Sequence, residues 1–132
     1  MSSAGTPCYQ GGNEPGPLLT VTLSHPLAGI AVCTAAGEVD MSTAPLLGQQ
    51  LQQAISSQPR RLVVNLSAVT FFSAAGVGAL DEARAAQRDE HELVLVGKSR
   101  VLKRVLDVCD VGYPRYCDLD RAVTACSEDA SA

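Results

Sequence analysis

The chain has 132 residues, enough for one domain with a sizeable core and too few for two ordinary ones. Hydrophobic residues at 46% and charged residues at 18% exclude a disordered polymer, and aromatics at only 4% with no Trp leave the core to Val, Leu, Ile and Ala. A net charge of −4 argues against non-specific nucleic-acid binding and against docking on an anionic membrane.

Residues 1–17 (MSSAGTPCYQGGNEPGP) are rich in Gly, Pro and polar residues and read as a flexible leader. They carry neither the basic nor the apolar region of a signal peptide, and no later stretch is apolar over the length that crosses a bilayer. The expectation is a cytoplasmic protein with a domain over residues 18–126 and a short tail over 127–132.

Residues 18–24 (LLTVTLS) alternate apolar and polar side chains, the pattern of a half-exposed edge strand. His25-Pro26 and Gly29 frame a turn, and residues 29–36 read as a second strand antiparallel to the first. Gly37-Glu38-Val39-Asp40 then leads into Met41-Ser42-Thr43-Ala44-Pro45. Ser42 or Thr43 is expected to cap a helix there, with Pro45 in its first turn. Leu47, Leu51, Ala54 and Ile55 recur at helical spacing, and Gln49, Gln50, Gln52 and Gln53 cover the other face.

Leu62, Val63, Val64 and Leu66 form the short apolar run of a strand buried on both faces, and Val69 and Phe71 continue the apolar supply. Ser73 is expected to cap the next helix, which runs over about residues 76–88 and buries Val77, Leu80 and Ala83. Gly76 and Gly78 allow close approach to that turn. Residues 93–96 (LVLV) read as another buried strand, and Ser99 as the cap of a helix with the apolar stripe Val101, Leu102, Val105, Leu106 and Cys109. Lys98, Arg100, Lys103 and Arg104 cluster at the start of that helix, either as a solvated face or as a docking patch for an acidic partner. A short strand over 115–117 and a helix over 118–125 complete an α/β alternation.

Two segments carry a resemblance. Gly37-Glu38-Val39-Asp40 before the first helix, and Asn65-Leu66 followed by Phe71-Phe72-Ser73-Ala74-Ala75-Gly76-Val77-Gly78, resemble the STAS domain, named for sulphate transporters and anti-sigma-factor antagonists. In that family an apolar strand ends in Asp-Leu, and Phe-x-Asp-Ser-Ser/Thr-Gly-Leu-Gly opens a helix. The resemblance implies an α/β fold, a small mixed sheet of about four to five strands with about four helices packed mainly on one side. It implies a regulatory protein-binding domain that sequesters an anti-sigma factor of kinase-like fold and so releases a sigma factor. The partner face it implies comprises Glu38, Asp40, Ser42, Phe72, Ser73, Ala74, Ala75 and Gly76.

The departures are specific. The family's regulatory phosphoserine falls on Ala74, which has no hydroxyl, and Ser73 and Asn65 stand where the family has Asp. Switching by phosphate at Ala74 is therefore not expected. Ser73 is either a plain cap or a shifted acceptor for a kinase. The loss of two carboxylates weakens any metal-assisted or phosphotransfer role, because hard cations favour carboxylate ligands. Gly76-x-Gly78 lacks the third glycine of a dinucleotide fingerprint, and His25 and His91 are isolated and expected at the surface.

No catalytic constellation assembles, so neither an enzyme, a cofactor, a metal nor a small-molecule substrate is expected. A module sensing a small anion or nucleotide at the helix N-terminus is the alternative. The five cysteines, Cys8, Cys33, Cys109, Cys117 and Cys126, are odd in number and show no C-x-x-C spacing. Reduced thiols are expected, and a redox-regulated antagonist using Cys109 and Cys117 is the other reading.

Overall fold

Apolar runs at the spacing of buried strands build the sheet. In the computed structural model, which describes residues 19–109 and 112–131, β1 (Leu19–Leu27) and β2 (Ile30–Val39) form an antiparallel hairpin. Gly29, with φ +82°, supplies the left-handed backbone its turn requires. β3 (Arg61–Phe72), β4 (Glu92–Val96) and β5 (Arg115–Tyr116) then add in parallel, giving the sheet order β1-β2-β3-β4-β5. Helices α1 (Ala44–Ile55), α2 (Ala74–Ala86) and α3 (Arg100–Val108) make the parallel crossovers, and α4 (Leu119–Ser131) closes the chain. The expected leader at 1–17 lies outside the described residues, and helix occupies much of the segment expected as a tail.

The pleat sends alternate residues to opposite faces. On one face Leu62, Val64 and Leu66 of β3 and Leu93 and Leu95 of β4 meet Leu47 and Leu51 of α1, Leu80 of α2, and Leu102 and Leu106 of α3. On the other face Ile30, Val32, Val63, Val94 and Val96 meet Ala122 and Cys126 of α4. The helices thus pack mainly on one side, with α4 alone on the other. Each fully buried Leu contributes about 1.5–3 kcal/mol relative to exposure.

β3 is longer than its apolar run predicts because it carries two bulges. Asn65 pairs with Thr34 but Ala68 with Ala36, and Val69 pairs with Gly37 but Phe71 with Glu38, so β3 gains one residue over β2 at each step. The Asn65 side-chain oxygen secures the first bulge by accepting hydrogen bonds from the Ser67 amide (3.1 Å) and hydroxyl (2.7 Å). The second bulge resets the alternation. Period two counted from Val69 would bury Phe71, yet Phe71 is 48% exposed and Phe72 only 3%. Phe71, expected in the core, is therefore half-exposed, and Phe72, expected on the partner face, is buried in the core.

Phe72 and Val39 sit directly beneath the first turn of α2. A Cβ added to Gly76 would lie 2.7 Å from the Phe72 ring and 2.8 Å from a Val39 methyl, whereas one added to Gly78 would meet nothing within 4 Å. Gly76→Ala is therefore expected to cost about 1–3 kcal/mol by overpacking. Gly78→Ala, at an exposed helical position, is expected to gain up to about 1 kcal/mol. Urea unfolding of the two variants beside the wild type checks both signs.

Candidate protein-docking site at the start of α2

The ends of β2 and β3 lie side by side, with Val39 opposite Phe72, and so bring together the two turns that open α1 and α2. The Ser73 amide donates to the Val39 carbonyl at 2.9 Å and ties the turns to each other.

Asp40 organises the first turn. Its Oδ1 accepts from the Ser42 amide (2.9 Å), the Ser42 hydroxyl (2.8 Å) and the Thr43 amide (3.0 Å), and its carbonyl accepts from the Ala44 amide (2.8 Å). The Ser42 hydroxyl foremost, then the Thr43 amide, hold the Asp40 carboxyl below its ordinary value of 3.8. Thr43 precedes α1 without a side-chain bond to the helix. Its hydroxyl instead accepts from the Asp40 amide (2.9 Å) and donates to the Glu38 carbonyl (2.8 Å). The side-chain cap expected of Ser42 or Thr43 does not form: Asp40 instead organises the turn before α1, and the Ala44 and Leu46 amides are taken by the Asp40 and Thr43 carbonyls. Asp40 and Ser42 are occupied by their own turn, while the exposed Glu38 carboxylate has no partner among the described residues.

The second turn is neutral. Ser73 precedes α2 in an extended conformation and makes no side-chain cap bond. Its Oγ exposes under 1 Å² and has no hydrogen-bond partner. This overturns the expected cap: the Ser73 backbone has the extended conformation usual for a capping residue, but its hydroxyl is turned inward and bonds no first-turn amide. Ala74, at the first helical position, is exposed, Ala75 is half-buried, and Gly76 is buried against Phe72 and Val39. Of the residues expected to face a partner, Glu38, Ser42 and Ala74 are exposed, Asp40, Ser73 and Ala75 are half-buried, and Phe72 and Gly76 are buried.

Beside these turns a groove of about 650 Å³ runs between α1 and α2, lined by Met41, Ala44, Gly48, Ala75, Gly78 and Ala79 among others. Met41 stands 83% exposed at its rim. The sequence reading missed Met41 and Gly48; the available signal was the small side chains at 75, 78 and 79, a helical stripe able to face Gly48.

The remaining candidates scatter. His25 is exposed on β1, whereas His91, expected at the surface, is buried at 9% exposure before β4. Cys33, Cys109 and Cys117 are free thiols and Cys126 is buried; burial pushes Cys33 up to about 12, an inert packing group. Cys109 is half-buried at the end of α3 and Cys117 is exposed after β5. Cys8 lies outside the described residues. Among the described residues no group of three or more His, Cys, Asp or Glu gathers to hold a metal ion, and no helix is long and apolar enough to cross a membrane.

A family model described as "Mlab, STAS domain" matches residues 28–113, which include both turns. The chain belongs to the STAS-domain family. This STAS domain is similar to the anti-sigma-F factor antagonist RsfB of Mycobacterium tuberculosis, with 36% identity over 59 residues, 45% of this chain and 48% of that protein. It thus spans about half the length of the curated relatives it matches. Among solved structures it is similar to an anti-sigma factor antagonist from Mycobacterium paratuberculosis, with a TM-score of 0.75, 29% identity, and coverage of 81% of this chain and 92% of that one. The STAS-domain protein of Planctomyces limnophilus (TM-score 0.68, 20% identity, coverage 80% and 95%) shares the fold. So does the phosphorylated Bacillus cell fate determinant SpoIIAA (TM-score 0.61, 16% identity, coverage 80% and 97%).

Two outcomes follow from the turns of this STAS domain. Ser73→Ala removes an enclosed, unpartnered hydroxyl and is expected to leave thermal stability unchanged or raise it, where loss of a true cap would cost about 1 kcal/mol. Asp40 has its folded-state pKa depressed, so its contribution is present above about pH 3.8 and lost as pH falls through the lower folded value. The melting-temperature gap between wild type and Asp40→Asn is expected to be open at neutral pH and to close on acidification below that point.

Proposed function

We propose that this STAS domain is a cytoplasmic anti-sigma-factor antagonist, a binding protein rather than an enzyme. It docks a kinase-like anti-sigma factor against the start of α2 and so frees a sigma factor. The observation that carries the reading is the exposed methyl of Ala74 at the first position of α2, where the family's phosphoserine falls. A methyl offers no phosphate acceptor, so the docking face stays in its uncharged state. Phosphate there would add about −1.5 to −2 charges.

The enclosed Ser73 hydroxyl supports the same conclusion, since a kinase cannot reach an oxygen exposing under 1 Å². The α1–α2 groove also speaks against a nucleotide or small-anion sensor. Its lining includes Glu82 and no Lys or Arg, the wrong electrostatics for phosphate.

The test is capture of anti-sigma factors from the source cell, followed by calorimetry with wild type and Ala74→Asp. Wild type is expected to bind without prior dephosphorylation and to carry no phosphate. Ala74→Asp is expected to weaken binding at least about tenfold, which is about 1.4 kcal/mol, by burying an unpaired carboxylate at the contact. Its melting temperature should not fall, because an acidic residue suits a helix N-terminus. Phosphate mapped to Ser73, or unchanged affinity in Ala74→Asp, overturns the reading.

A further inference from the structure

A second groove, of about 600 Å³, lies between the end of β3 and α3. Three of the five exposed large apolar side chains among the described residues line it: Phe71 at 48%, Val101 at 44% and Val108 at 77%. The sequence reading placed Val101 and Val105 in the core stripe of α3; the structure divides that stripe. Leu102 and Leu106 face the core and half-buried Val105 packs against it, while Val101, Val105 and Val108, at i, i+4 and i+7, also form a second row along the groove. A helix of nine residues with one apolar row inward and another outward presents the outer row to something beyond its own domain.

Charge identifies the occupant. Arg100 and Arg104 line the same groove at i, i+4, and neither makes a hydrogen bond or ion pair among the described residues, whereas adjacent Lys103 pairs with Asp107 at 2.9 Å. Like charges at this spacing are mildly unfavourable to the helix. Two exposed guanidiniums bordering an apolar trough match carboxylates flanking an aliphatic face, because guanidinium binds carboxylate in a two-point geometry. Two copies of this groove facing each other across a two-fold axis that passes through it would bring these arginines together, so like charge opposes that self-paired arrangement.

We propose that the groove between the end of β3 and α3 is a second docking site, taking an amphipathic helical segment of a partner protein whose aliphatic face meets Phe71, Val101 and Val108 and whose carboxylates meet Arg100 and Arg104. Phe71 is two residues from Ser73, so the site is continuous with the start of α2. That the partner is an anti-sigma factor rests on the proposed function; the chemistry of the groove does not.

The experiment is an amide NMR titration of the full chain with a synthetic helical peptide carrying Leu at i, i+4 flanked by Glu, and with a control peptide in which each Glu is Lys. The acidic peptide is expected to give saturable shifts centred on Phe71, Val101, Val105 and Val108. Its affinity should fall several-fold between about 50 and 300 mM salt as screening shortens. The double variant Arg100→Glu/Arg104→Glu, changed only at exposed positions, should weaken binding at least about tenfold at unchanged melting temperature. Equal binding of the two peptides, shifts centred on the α1–α2 groove instead, or no saturable shift overturns the proposal. The titration needs no anti-sigma factor, so its failure leaves the antagonist reading standing, and failure to capture an anti-sigma factor leaves the groove's chemistry standing.

Discussion

The Phe72 ring occupies the volume that a side chain on Gly76 would need, with Val39 closing the space from β2. This contact seats the first turn of α2 directly on the ends of two parallel strands. Because Phe72 and Val39 are almost wholly buried, at 3% and 0% exposure, the seat cannot shift without disturbing the core. The positions of Ala74 and Ala75 above it follow from that rigidity. So does the outward turn of Phe71, since consecutive strand residues point to opposite faces.

The two turns this seat brings together are electrostatically unlike. The α1 turn is a charged, self-contained network in which one carboxylate oxygen gathers four donors, the amides and hydroxyls of Ser42 and Thr43. The α2 turn has no side-chain cap, no acidic residue in its first turn and a neutral methyl at its first position. The α2 turn thus presents first-turn amides and small apolar groups, with the Glu38 carboxylate nearby and the exposed Met41 and Phe71 side chains flanking it. A partner surface able to accept an uncharged helix start fits it; one that demands a phosphate does not.

On the other side of Phe71 the surface changes character. The α3 row of valines gives contact area, and Arg100 and Arg104 give direction, since a desolvated charge pair discriminates between partners more than it adds affinity. The chain is acidic overall, so this local positive rim stands against its net charge of −4 and steers an acidic segment toward one place on the surface.

Much was legible in the residues alone. The apolar runs at 62–66 and 93–96 determined the central strands, the helical spacing of Leu47, Leu51 and Ala54 determined α1, and Ala74 settled by its covalent structure that no acceptor oxygen exists there. What only the tertiary structure decided were phases and partners. Bulges in β3 reset the alternation, so Phe71 and Phe72 exchanged faces, because burial follows the ladder rather than the count along the chain. Ser73 was readable as a cap but not as an enclosed hydroxyl, since the direction its side chain takes depends on the packing around it, which residue type does not set. Asp40 rather than Ser42 or Thr43 organises the turn before α1, and which oxygen meets which amide there is resolved only when distances exist. Whether a valine on α3 faces the core or the groove was likewise beyond periodicity, because a row one step from the buried stripe is apolar in either case and only the neighbouring elements determine which row is covered.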